Sequence, residues 1–110
     1  MVISMVSVVI SFLGILQRKV NTREVKVLLD GEKNGISVRK ILEEVIKKLP
    51  GDKERSEFKK WVFDPARPDN LNKEMAYILN GRHLKPSKES LEMKVNGDQE
   101  LVIFPPEGGG

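Results

Sequence analysis

The residues with the plainest chemical potential close the sequence: VIFPPEGGG, Val102–Gly110. An apolar run leads into Pro105 and Pro106, one acid, and then Gly108, Gly109 and Gly110. Glycine has no Cβ, adopts almost any backbone dihedral and lets the chain pass close to a ligand. The two prolines favour an extended conformation and cannot donate ladder hydrogen bonds, so they end a strand and project the glycines away from it. A carboxylate on such a thread can enter a narrow active site. At neutral pH it is a poor electrophile, so chemistry there requires prior activation. The competing reading is an ordinary frayed end or a cloning remnant.

Little else in the chain suggests catalysis. It contains no cysteine, which excludes thiolate nucleophiles, thiolate metal ligands and disulfides. His83, the only histidine, lies beside a turn signal and reads as a surface residue. No nucleophile–base pair or metal-ligand cluster emerges, and PPEGGG lacks the lysine and following helix of a phosphate-binding loop. We therefore expect no catalytic residue, no metal and no cofactor. The net charge of +3 is mild and both signs are interspersed, unlike the concentrated basic patch of a nucleic-acid binder. Residues 1–17 carry no charge, yet fall short of the roughly 20 apolar residues that span a bilayer. Ser4, Ser7 and Ser11 interrupt them, and their valines and isoleucines favour a buried first strand. The expectation is a cytoplasmic protein without membrane or nucleic-acid partners.

The elements that must position the tail emerge from periodicity. Val6–Leu13 reads as a strand, followed by Gly14 and a polar connection through Asn21. Val25, Val27 and Leu29 alternate with polar residues, which predicts a second strand in an antiparallel hairpin with the first. Ser37 is a candidate N-cap for the clearest element, where Val38, Ile41, Leu42, Val45, Ile46 and Leu49 recur at helical spacing. Pro50-Gly51 ends that helix. Residues 51–73 are highly charged and contain Phe58, Trp61 and Phe63. They read as an excursion with room for a short helix, whose aromatics either cover one end of the core or meet a partner. MAYILNGRHL is a strand pair broken at Asn80-Gly81, residues 87–94 are ambiguous, and ELVIF is the last strand. This order predicts an α+β domain over residues 1–104, with a mixed sheet packed on one main helix. Residues 105–110 form its tail.

At this point the residues resemble a known family. SVVISFLGIL, the helix SVRKILEEVIKKL and the ending GDQELVIFPPEGGG are similar to the β-grasp, ubiquitin-like sulfur carriers, above all the small subunit of molybdopterin synthase. Aligned from the prolines, Glu107 and Gly108 take that family's variable places, and Gly109-Gly110 fall on its terminal diglycine. YILNGRHL resembles a stretch of ubiquitin, with Arg82 where ubiquitin has a chain-linking lysine. The sequence departs in having one extra residue between GD and PP, and in residues 51–73, which minimal members lack.

The resemblance implies an E1-like enzyme that adenylates Gly110 and makes its carboxylate an acyl phosphate. The product is a conjugate to lysines of target proteins, served by an E2-like enzyme and a deconjugating protease. Alternatively it is a thiocarboxylate for molybdopterin or tRNA thiolation; a third alternative is an interaction domain with an idle tail. In each case the chain is a substrate or binding module and not an enzyme. The resemblance also implies that Leu101, Ile103, Tyr77 and Leu79 face the helix. Val102, Phe104 and Ile78 then point outward, as an exposed partner-binding patch beside Pro105 and Pro106.

Overall fold

The computed structural model describes residues 5–30 and 35–106. β1 (Met5–Phe12) and β2 (Glu24–Asp30) form the expected antiparallel hairpin, with Val8 opposite Val27 and Ile10 opposite Val25. The link between them is not simply polar. It contains a short helix, α1 (Ile15–Lys19), and Leu16 and the following Val20 are fully buried. These two residues lie one helical turn apart and plug one end of the core, which a polar loop would leave open.

β3 (Ile36–Ser37) leads directly into α2 (Val38–Lys48). Ser37 caps this helix as its type and position predict, its Oγ accepting from the Lys40 N–H at 3.1 Å. Val38, Ile41, Leu42 and Val45 are buried on one side, while the charged residues occupy the other. The helix stops at Leu49, whose extended ψ of 150° is what a following proline imposes.

Residues 51–73 begin with α3 (Asp52–Val62). Phe58 is fully buried and meets Phe12 edge to face, with ring centroids 5.9 Å apart. Of the two readings for this segment's aromatics, core cover describes Phe58; the outer surface of the segment is a separate matter.

β4 (Ala76–Leu79) and β5 (Arg82–His83) form the tight hairpin signalled by Asn80-Gly81, which take φ of 48° and 82°. Positive φ at both central residues is what the favoured two-residue hairpin turns require. The ambiguous residues resolve into α4 (Lys88–Glu92), capped by Ser87, and β6 (Lys94–Val95), which pairs with β3 in a separate two-stranded sheet. β7 (Gln99–Phe104) completes the main sheet, in the order β2-β1-β7-β4-β5. Among the described strands of that sheet, only β1 and β7 run parallel, the other neighbours being antiparallel. The architecture is α+β, a mixed sheet with α2 across its inner face.

Tyr77 ties residues 51–73 to this sheet. Its buried hydroxyl lies 2.8 Å from the Val62 carbonyl and 2.9 Å from the Asn72 carbonyl, and donates its single proton between them. Both carbonyls accept other donors too, Val62 from the Asn72 N–H and Asn72 from the Met75 N–H. Tyr77→Phe should therefore cost only about 1 kcal/mol of unfolding free energy, because neither carbonyl is orphaned. Burial pushes the Tyr77 pKa well above its ordinary 10.0. A group raised in the folded state contributes stability below its unfolded pKa and loses it as pH rises beyond. Denaturant unfolding should thus show stability falling above about pH 10 in the wild type, and falling less in Tyr77→Phe.

Candidate functional site

β7 is held near both of its ends by β1. At its start, Gly97 turns the chain with φ 75°, and the Asp98 carboxylate accepts from the Ser7 N–H at 2.9 Å. That carboxylate stands in for the ladder carbonyl that the turning backbone no longer supplies. Asn80 adds a clamp from the end of β4, its Oδ1 accepting from the Glu100 N–H at 2.7 Å. At the far end, the Leu13 N–H donates to the Ile103 carbonyl at 3.1 Å, one residue beyond β1 itself.

Pairing ends there because Pro105 and Pro106 come next, and the described chain leaves the sheet at this point. Pro105 is half-buried against Gly14. A Cβ added to Gly14 would lie 3.3 Å from Pro105 Cγ and 3.4 Å from its Cδ. Gly14 also has φ 66° and ψ −142°, a region that is close to glycine-only. On either side of it, Leu13 and Ile15 are 48% and 40% exposed. The root of the tail thus sits on a glycine between two exposed apolar residues. These three residues were missed by sequence reasoning, although a glycine directly after an apolar strand was the available signal.

Strand parity places the rest. Leu101, Ile103, Tyr77 and Leu79 are buried on the helix side, and Val102, Phe104 and Ile78 point to the other face, as expected. Two details differ from the expectation. Val102, Phe104 and Ile78 are half-buried and not openly exposed, lying between neighbouring strands on both sides or against one of them. Phe104 also stands opposite Ala76, while Ile78 stands opposite Val102 and His83, so Phe104 and Ile78 are diagonal neighbours. The outer strip continues across β1 through Ser11, the partner of Val102. Pro106 is exposed at its end, and His83 is an exposed surface residue. Gly108, Gly109 and Gly110 lie outside the described residues. Among the described residues no charged side chain is buried, the Tyr77 hydroxyl is a buried polar group with its partners in place, and no cluster of His, Asp or Glu could hold a metal. What this arrangement does is to hold the end of β7 in a fixed place and direct the chain out of the sheet there.

Two substitutions test the register. Ile103→Ala should cost about 2–5 kcal/mol in denaturant unfolding, since it empties a fully buried site. Phe104→Ala should cost about 1 kcal/mol, because its ring is only partly removed from water. A reversed ranking would mean that the register is off by one. Gly14→Ala should destabilise the domain by about 1–3 kcal/mol through backbone strain and crowding of Pro105, read in the same way.

Compared by sequence, the chain matches no family model and no curated protein. Solved structures do resemble it. Small archaeal modifier protein 1 from Methanosarcina acetivorans superimposes with a TM-score of 0.66 at 22% identity, covering 97% of this chain and 99% of that one. The protein of that name from Haloferax volcanii gives 0.66 at 19% identity, covering 94% and 99%. A Pyrococcus furiosus chain described as molybdopterin converting factor subunit 1 gives 0.58 at 18% identity, covering 92% and 98%. At such identities the likeness speaks for architecture: this chain has the ubiquitin-like β-grasp fold.

Proposed function

We propose that this chain is a ubiquitin-like protein modifier, activated at the carboxylate of Gly110 by an E1-like adenylating enzyme and joined to lysines of target proteins. The observation that carries the reading is the end of β7. A strand clamped to β1 runs into two prolines, the first seated on Gly14, beside the apolar strip of Val102, Phe104 and Ile78, and the sequence continues as EGGG. A rigid strand followed by glycines fixes where the thread starts while leaving it thin enough to enter an adenylation site. The fold's likeness to small archaeal modifier protein 1 supports the same reading. The chain is then substrate and carrier for its activating enzyme, and an E2-like enzyme and a deconjugating protease are its further partners. We place it in the cytoplasm; no described helix is long and apolar enough to cross a membrane.

A second reading, sulfur carriage on a terminal thiocarboxylate, is favoured by the FPPxxGG register and by the likeness to molybdopterin converting factor subunit 1. Both readings share the acyl adenylate and differ in what attacks it, an enzyme thiol leading to an amine or a persulfide-type sulfur. Mass spectrometry of the protein from its native cells separates them. Glycine remnants on lysines of other proteins mark the modifier, and replacement of a terminal oxygen by sulfur marks the carrier. Deleting Gly109 and Gly110 should leave the unfolding midpoint unchanged and abolish ATP–pyrophosphate exchange with the activating enzyme. Surviving exchange would refute activation at Gly110.

A further inference from the structure

The main sheet has one long open edge. β2 pairs with β1 on one side and, among the described residues, with nothing on the other. The direction of its free backbone groups follows from β1. The Phe12 N–H donates to the Arg23 carbonyl, whereas the N–H groups of Ser7 and Leu13 turn the other way, to Asp98 and Ile103. Alternation along the antiparallel pair then turns the backbone groups of Val25, Val27 and Leu29 toward β1. Those of Glu24, Lys26, Leu28 and Asp30 line the open edge.

Such an edge is a template for another strand. Its side chains include an apolar patch on the outer face. Leu28 is 60% exposed, and Met5, its diagonal neighbour on β1, is 52% exposed. They are the two most exposed large apolar side chains among the described residues. Beside Leu28 and Asp30 the surface falls into an open recess of about 660 Å³, bounded by Ile36, Lys40 and Lys94, so α2 leaves room next to the strand.

Charge selects the occupant. Along the strand and around the recess the signs are mixed, with Glu24, Asp30 and Glu44 among Lys26, Lys40 and Lys94. Lys40 already faces Glu44 at 3.6 Å, and Lys26 and Asp30 form no ion pair among the described residues. A surface of mixed sign favours neither an acidic nor a basic partner, but alternating signs can match a copy of themselves. A two-fold axis normal to the sheet sets two β2 edges antiparallel. Centred on Lys26, the pairing places Lys26 against Lys26. Centred on Val27, it places Glu24 against Asp30, again like charges. Centred on Leu28, it places Leu28 against Leu28, and Lys26 against Asp30 on both sides of the axis. On the inner face Val27 then meets Leu29, which continues the buried rows of the two cores. Lysine on an edge ordinarily discourages pairing; in this register it gains a counter-ion instead.

We propose that the open edge of β2 pairs with the same edge of a second copy, centred on Leu28, joining two five-stranded sheets into one. The contact lies two strands away from β7, so it stands or falls apart from Gly110 and the proposed conjugation. An interface of one strand is small and its association weak, so the full chain is followed by sedimentation equilibrium up to about 1 mM. A monomer–dimer equilibrium is expected. Lys26→Asp brings like charges together and should raise the dissociation constant about tenfold, and adding Asp30→Lys should restore it. Should Lys26→Asp not fold, Asp30→Lys alone makes the same test. Deleting Gly109 and Gly110 should change nothing.

The chain has no cysteine, so single substitutions report the register. Facing residues of such a pair lie about 5.5 Å apart at Cα, within disulfide reach. Leu28→Cys should therefore oxidise to a covalent dimer, and Lys26→Cys, held off the axis, should not. Both positions are exposed, and an unaltered spectrum of each reduced variant verifies its fold. A monomer at every concentration, a dimer indifferent to the charge reversal, or preferential cross-linking through Lys26→Cys would overturn the proposal.

Discussion

The parallel contact between β1 and β7 is the constraint on which the rest of this structure depends. With β2 antiparallel to β1 and β4 antiparallel to β7, that contact makes β2 and β4 run in the same direction, so the chain between Asp30 and Ala76 must pass from one end of the sheet to the other. That requirement puts α2 across the sheet, where its apolar face closes the core. It also fixes where the chain exits. In a parallel pair both strands end on the same side, so Phe104 finishes beside the end of β1, and Pro105 meets Gly14. An antiparallel β7 would have released the tail at the opposite end, next to Met5.

Such a pair carries a large loop-closure entropy, since its partners are far apart in sequence. Two long-range contacts reinforce it: the Asp98 carboxylate accepts from the Ser7 N–H, and the Leu13 N–H extends the ladder past the end of β1, while Asn80 clamps β7 from the β4 side. Residues 51–73 act differently. Phe58 buries its ring against Phe12, and Tyr77 reaches from β4 to the carbonyls at both ends of the loop that joins α3 to it. The segment is thereby part of the core on its inner side, while its outer side is shaped by prolines and loop hydrogen bonds that owe nothing to the sheet.

Much of the framework was legible because burial imposes simple periods. Val25, Val27 and Leu29 repeat every second residue, and Ile41, Leu42 and Val45 keep helical spacing, so each face could be assigned from sequence. Asn80-Gly81 announced its turn through the φ values it tolerates well. α1 was not legible, because five residues are too few to show a period, and Arg18 and Lys19 disguised the buried Leu16. The two-residue strands β3 and β6 were hidden for the same reason. At the candidate site, parity gave the direction of Phe104 and Val102 correctly. Their partial burial was not accessible that way, since it depends on which neighbours the register brings alongside. The part played by Asp98 was not legible, since its bond to Ser7 spans a distance in sequence that no local pattern encodes.

The alternation that separates core from surface also separates the two faces of the sheet from one another. Phe104 and Val102 lie on the outer face of the sheet, next to the exit of the chain, whereas Ile46 and Phe63 lie beyond α2 on the covered side. A protein that grips the outer strip while engaging the tail has the whole sheet between itself and these two residues. The fold therefore allows substitution on the outer side of residues 51–73 without disturbing the end of β7. A substitution at Pro65 or Lys60 touches neither the clamp at Asp98 nor the seat at Gly14, because the two surfaces share nothing but the packed side chains of the core itself.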